Sequence, residues 1–224
     1  MLARYGVVFR ETAHAEGLTG GFSAIYDVMK ALEESGKIRR GYFAADLGAT
    51  QFAMPAAVDL LRSLRVSNQD DRAEMIQLAA TDPANPYGAL LRWPSAPDSG
   101  SSLTRSVGAR VILGDGALVG YLRRGNPNLQ IFLPEEDPQR SQVARSLAEF
   151  LVHRVQEQGG GVQGNDPSAR VGMLITSING VAVAEHPFAR FLLDAGFHAA
   201  PLGFNVRRSL PPLPAQARET VANA

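Results

Sequence analysis

Two stretches of this chain bring reactive residue types close together. In "ATDPANPYG", residues 80–88, Asp82 and Asn85 follow the apolar run "MIQLAA" in a turn stiffened by Pro83 and Pro86. A carboxylate held there is a candidate general acid or base. The competing reading is an Asx turn, in which the Asp82 side chain accepts backbone N–H groups. In "SGKIRRGYFAADLGATQFAMP", residues 35–55, Lys37, Arg39 and Arg40 precede Tyr42. Three cations beside an aromatic suit phosphate contact and base stacking. The alternative is that Arg39 or Arg40 pairs with Glu33 or Glu34. Arg10 ranks second for the same contacts.

Other chemistries lack their residues. The signature G-x-x-x-x-G-K-[ST] does not occur, so this chain by itself is not expected to hydrolyse ATP. Gly159, Gly161 and Gly164 match G-x-G-x-x-G, but they follow a helical pattern and open no helix, which reads as a loop. No G-x-S-x-G elbow is present. His14, His153, His186 and His198 are scattered without metal-ligand spacing, so no metal is expected. With no cysteine there is no disulfide framework, no thiolate zinc site and no thiol nucleophile. The 22 basic and 22 acidic residues cancel, whereas a free-standing DNA binder is usually more basic. Nucleic-acid contact must then be local or shared with other protein. No apolar run approaches the ~18–20 residues of a membrane span, and no secretory leader opens the chain. A cytoplasmic protein is the expectation.

The elements that position these residues follow from periodicity. Residues 1–16 read as helical with a break at Gly6. Phe22, Ile25, Tyr26, Met29 and Leu32 form one apolar face of a helix over 19–36, with Thr19 as N-cap and Gly36 as the residue after its end. The outward face carries Ser23, Asp27, Lys30, Glu33 and Glu34, which is net acidic and ill suited to a major groove flanked by phosphates. Two short strands follow, around "LGA". Pro55 opens another helix, with Val58, Leu61 and Leu64 on its inner side. Helix, helix, hairpin, helix is a winged helix over residues 1–66, with the basic cluster at the wing base.

Residues 67–74 read as a linker. Residues 75–208 carry about seven short strands, mostly hairpin-paired, and two helices. Asp115-Gly116 and Asn179-Gly180 are hairpin turns. Asp137 and Pro138 start a helix whose stripe is Val143, Leu147, Phe150 and Leu151. The expectation is an α+β chain: a winged helix, then a small, mostly antiparallel β-barrel or curled sheet over 67–208, then a disordered tail over 209–224.

"RYGVVFRETAHAEG", "GGFSAIYDVMKALEESGKIRRGYFAADLGATQFAMPAAVDLLR", "LAATDPANPYGALLRWP", "GARVILGDGALVGYLRRG" and "HPFARFLLDAGFHAAPLGFNVR" together resemble the large helicase-related (Lhr) family of DEAD/DEAH-type DNA helicases. The resemblance is collinear from residue 2 to about 208 and covers a winged helix and the barrel module behind it. It implies a DNA-binding accessory part of an ATP-dependent repair helicase, whose ATP and Mg²⁺ belong to motor domains upstream. It implies DNA and those upstream domains as partners. A glycosylase role is attributed to the same end of long family members, which makes a base-excision module with Asp82 as acid or base the alternative. A protein-interaction module is the third reading. In the family a longer helix precedes "RYGVV". The resemblance therefore implies a piece of a longer protein, or a truncated reading frame, with Leu2 and Tyr5 facing inward and apolar surface left open to self-association.

Overall fold

The computed structural model describes residues 1–45, 47–48, 50–66, 73–95, 102–157 and 172–207. Most of the expected linker, the Gly159–Gly164 loop and the tail over 209–224 lie outside these residues. The chain divides into two compact units. One comprises Met1–Asp71 with Ala80–Ser95 and Leu103–Ser106; the other comprises Arg72–Ala79, Ala96–Ser102 and Val107–Ala224.

The first unit runs α1 (Leu2–Tyr5), β1 (Val7–Val8), α2 (Arg10–Ala15), α3 (Ser23–Glu34), β2 (Arg39–Gly41), β3 (Gln51–Ala53) and α4 (Pro55–Val66). The winged helix is present, and it holds a strand where residues 1–16 read as helical. Gly6, at φ 69°, ends α1. Val7 and Val8 then pair antiparallel with Ala53 and Phe52, giving the sheet order β1-β3-β2. Two β-branched residues favour this extended backbone. The pairing buries Val8 and Phe52 completely.

Helix α3 lays the anticipated stripe on that sheet. Met29 is buried with Val8, Ile38 and Phe52, and Phe22, Ile25, Tyr26 and Leu32 pack around them. Its N-cap is Phe22 rather than Thr19. Gly36, at φ 72°, takes the left-handed turn past the helix end, and the Lys37 N–H reaches Leu32 O at 3.0 Å. Two apolar assignments change. Among the described side chains of α4 only Val58 is buried, while Leu60, Leu61 and Leu64 are exposed. In α1, Leu2 packs on the core, but the Tyr5 hydroxyl donates to Glu16 Oε1 at 2.7 Å beside Arg4. Chiefly through that bond, with Arg4 adding to it, the Glu16 carboxyl is held below its usual range. The exposed large apolar residues of this unit include Leu60, Leu61 and Leu64 of α4 and Val28 of α3, whereas Leu2 and Tyr5 are not among them.

The second unit contains β4 (Met75–Ala79), β5 (Arg110–Gly114), β6 (Ala117–Leu122), β7 (Asn128–Ile131), α5 (Gln139–Glu157), β8 (Gly172–Ile175), β9 (Ser177–Ile178), β10 (Val181–Ala182), α6 (Ala189–Ala195), β11 (His198–Ala200) and β12 (Gly203–Arg207), with a 3-10 turn over Val183–Glu185. Both two-residue turns form as expected: Asp115-Gly116 and Asn179-Gly180 all have positive φ. Asp137 caps α5 through Ser141 N at 3.1 Å. Leu147 and Leu151 of its stripe are fully buried, with Ala144 and Ala148.

The anticipated barrel does not close among the described residues. The strands form an open six-stranded sheet, β10-β9-β7-β6-β5-β4, and a separate three-stranded one, β11-β12-β8. The reason lies at Thr176. Met173–Ile175 read as one arm of the Asn-Gly hairpin, but they pair with β12, and only Ser177–Ile178 remain to pair with β10. Helices α5 and α6 fill the space between the sheets: Leu147, Leu151 and Leu192 share one core with Ile112, Leu129 and Ile131 of the larger sheet and Ile175, Phe204 and Val206 of the smaller. Across β7 and β9, Asn179 substitutes for backbone. Its Oδ1 accepts Ile131 N–H at 2.9 Å and its Nδ2 donates to Ile131 O at 3.0 Å.

Candidate nucleic-acid interface

The wing is built by one buried glutamine. Strands β2 and β3 pair Arg39 with Ala53, Arg40 with Phe52 and Gly41 with Gln51. The Gln51 side chain is fully buried. Its Oε1 accepts Phe43 N–H at 2.9 Å and Ala44 N–H at 2.8 Å. Its Nε2 donates to Ala44 O at 2.8 Å, Gly48 O at 3.2 Å and Leu47 O at 3.4 Å. One side chain thus satisfies backbone groups of Phe43, Ala44, Leu47 and Gly48. Gly41 completes the fold-back, since a Cβ there would lie 2.8 Å from Phe43 Cζ.

All four anticipated wing-base residues are exposed. Tyr42 is 68% exposed, and Lys37, Arg39 and Arg40 are exposed beside it in sequence. Arg40 takes the alternative role, with Nε 3.3 Å from Glu33 Oε1. Glu34 pairs with Lys30 at 3.8 Å. Exposed pairs of this kind are worth at most about 1 kcal/mol and exchange easily for a phosphate. Lys37 and Arg39 have no side-chain partner among the described residues, so the wing base presents two uncommitted cations and an exposed ring.

Asp82 adopts the turn geometry. Half-buried, its Oδ1 accepts Ala84 N–H at 2.8 Å. Asn85, almost fully buried, donates to Ala80 O at 2.9 Å and accepts Tyr87 N–H at 3.1 Å. Sequence reading overlooked Arg105, whose guanidinium donates to the carbonyls of Asn85 (2.7 Å), Asp82 (3.0 Å), Tyr87 (3.1 Å) and Thr81 (3.3 Å). The loop over 81–87 is therefore held from both sides as a structural element.

That loop leads into a groove of 610 Å³ within the same unit, where Arg10, Glu11 and His14 of α2 face Gly88, Arg92 and Trp93. Arg10 was a secondary candidate; the rest of this set was not anticipated. His14 falls four residues after Arg10 and three after Glu11, and that helical spacing was the available signal, but nothing local announces Arg92 and Trp93 as their counterparts. Gly88, at φ 75°, admits the indole directly over its backbone: a Cβ there would lie 2.4 Å from Trp93 Nε1. Two other histidines have local partners. His153 lies 3.3 Å from Glu157, and His186 Nδ1 accepts Phe188 N–H at 3.0 Å. Among the described residues no three His, Cys, Asp or Glu side chains gather to hold a metal.

Residues 1–73 match the family model for the large helicase-related protein winged-helix domain. Two curated relatives align with 92% of the chain. One, named Lhr helicase/probable uracil glycosylase, from Mycolicibacterium smegmatis, is 38% identical over 216 residues. The other, named Lhr helicase/uracil glycosylase, from Escherichia coli, is 32% identical over 206 residues. The chain spans only 13% and 12% of their respective lengths.

Proposed function

Because residues 1–73 are a winged-helix domain of the large helicase-related family and the same relatives align along nearly the whole chain, we propose that this chain is a DNA-binding accessory region of an ATP-dependent repair helicase. The observation that carries the reading is the wing base: uncommitted Lys37 and Arg39, exchangeable Arg40 and exposed Tyr42 on a loop pinned by Gln51. ATP and Mg²⁺ would be handled by other domains of that helicase, which are also the chain's protein partners. The place of action is the cytoplasm, at the nucleoid. Among the described residues no helix is long and apolar enough to cross a membrane.

Phosphates carry no sequence information. Arg39→Ala with Arg40→Ala is therefore expected to weaken binding equally for unrelated DNA sequences. It is also expected to lower the slope of log K against log salt by about 0.7–0.9 per lost contact. Fluorescence anisotropy at several salt concentrations measures both. An unchanged slope makes the wing architectural and moves the search to Arg110, Arg123 and Arg124.

A uracil-releasing activity is the second reading, favoured by the names of both relatives. Asp82 is a poor acid or base for it, being engaged by Ala84 N–H. Release of uracil from single- and double-stranded DNA tests the activity directly. Self-association is the remaining part of the proposal, now through Leu60, Leu61 and Leu64. A monomer in light scattering over a wide concentration range would end it.

A further inference from the structure

The groove between α2 and the segment 88–93 has the makings of a binding site distinct from the wing. Arg10 and Arg92 are both exposed, and among the described residues neither has a hydrogen-bond or ion-pair partner. Glu11 lines the same groove, and its Oε2 is buried with no donor. A buried acceptor without a donor is unfavourable and rare in folded proteins. Trp93 supplies a half-buried apolar wall, held in place by Gly88. The ligand that satisfies all four features has an anionic group, a planar apolar body and an N–H donor.

We propose that this groove binds one unpaired nucleotide of a DNA strand. Its phosphate lies at Arg10 and Arg92, its base against Trp93, and an N–H of the base donates to the Glu11 carboxylate. Each of the four bases has such a donor on its Watson–Crick edge. In duplex DNA that donor is already committed to the opposite strand, so the carboxylate selects unpaired nucleotides without selecting a sequence. Arg10 and Arg92 add the sequence-independent attraction that single-strand binders use. The inference rests on the DNA-binding reading above and adds strand state to it.

Trp93 is the only tryptophan in the chain, so its fluorescence reports on the groove. The chain is titrated with a short single-stranded oligonucleotide, its abasic counterpart, the matching duplex and a free deoxynucleoside monophosphate, while anisotropy of labelled DNA follows total binding. The expected result is quenching by the single strand and little by the abasic strand or the duplex, even where anisotropy reports that they bind. Arg10→Ala with Arg92→Ala should abolish the quench while leaving the circular dichroism spectrum unchanged, because both side chains are exposed. Glu11→Gln should weaken the quenching affinity several-fold. Three results would overturn the inference: DNA binding by anisotropy with Trp93 unaffected, quenching that survives the double substitution, or quenching by the free nucleotide alone. Absence of an anisotropy change with every DNA would instead remove the DNA-binding reading itself, and the inference with it.

Discussion

Replacing Gln51 tests how the wing is held. Gln51→Leu keeps most of the buried volume and removes every hydrogen bond from the side chain to the loop. Three of those are short, at 2.8, 2.8 and 2.9 Å, and each contributes about 1 kcal/mol net. The two longer contacts, at 3.2 and 3.4 Å, add little. Water can reach part of the freed backbone, so the expected loss is about 2–3 kcal/mol, or roughly 30- to 150-fold in the folding equilibrium. Urea denaturation followed by Trp93 fluorescence measures it, since Trp93 lies in the same unit. The midpoint should fall with little change in the m-value. Gln51→Glu separates the two halves of the clamp: it retains an acceptor for Phe43 and Ala44 but faces the carbonyls of Ala44, Leu47 and Gly48 with an anion, and should be at least as damaging. Stability of Gln51→Leu within about 0.5 kcal/mol of wild type would refute the clamp, and with it the idea that a rigid wing presents Tyr42.

Arg105→Ala should destabilise the first unit by about 2–3 kcal/mol, as charged hydrogen bonds to four carbonyls are lost, and Arg105→Lys should not rescue it because an ammonium lacks the planar fork; thermal denaturation decides. Gly88→Ala should shift the Trp93 emission maximum, because a Cβ cannot share the space of the indole; an unchanged spectrum would mean that the ring does not lie there. Burial holds the His186 imidazole below its ordinary value, and its Nδ1 accepts a backbone N–H. The unfolded chain then binds the proton more readily, so the contribution is complete above about pH 6.5 and is lost as pH falls below it. His186→Asn should flatten stability between pH 7 and 5, and an unchanged pH profile of the denaturation midpoint would contradict this. Asp82→Ala should cost about 1 kcal/mol for the lost turn bond and leave any uracil release intact; abolished release in a folded variant would restore Asp82 as a catalytic candidate.

The parts of the molecule that were legible in sequence are those specified locally. The α3 stripe, the Asp115-Gly116 and Asn179-Gly180 turns, and the Asp137 cap of α5 each depend on residues within a few positions of one another. What was not legible depends on distant partners. Val7–Val8 is too short to show a period and becomes a strand only because β3 offers it an edge. Leu61 and Leu64 have the spacing of a buried stripe, but of that stripe only Val58 is covered. The departure of β8 toward β12, which leaves the larger sheet open, is set by pairing across some 30 residues of chain. At the candidate interface, the cations of the wing base were visible as a cluster. Their use of a buried glutamine was not, nor was the meeting of Arg10 with Arg92 and Trp93.

The Asn179-Gly180 turn also bears on chemical ageing. An asparagine followed by glycine is prone to deamidation, because the unhindered glycine nitrogen can attack the side-chain amide, expelling ammonia and closing a succinimide. In the folded chain both ends of that amide are held by Ile131, away from the geometry of attack. Opening of the β7–β9 edge releases it. Hydrolysis of the ring then leaves aspartate or isoaspartate, with no N–H for Ile131 O and a new negative charge in its place, so the edge cannot close as before. The slow conversion of Asn179, followed by mass spectrometry in a stored sample, would thus act as a covalent record of how often this part of the sheet has come apart.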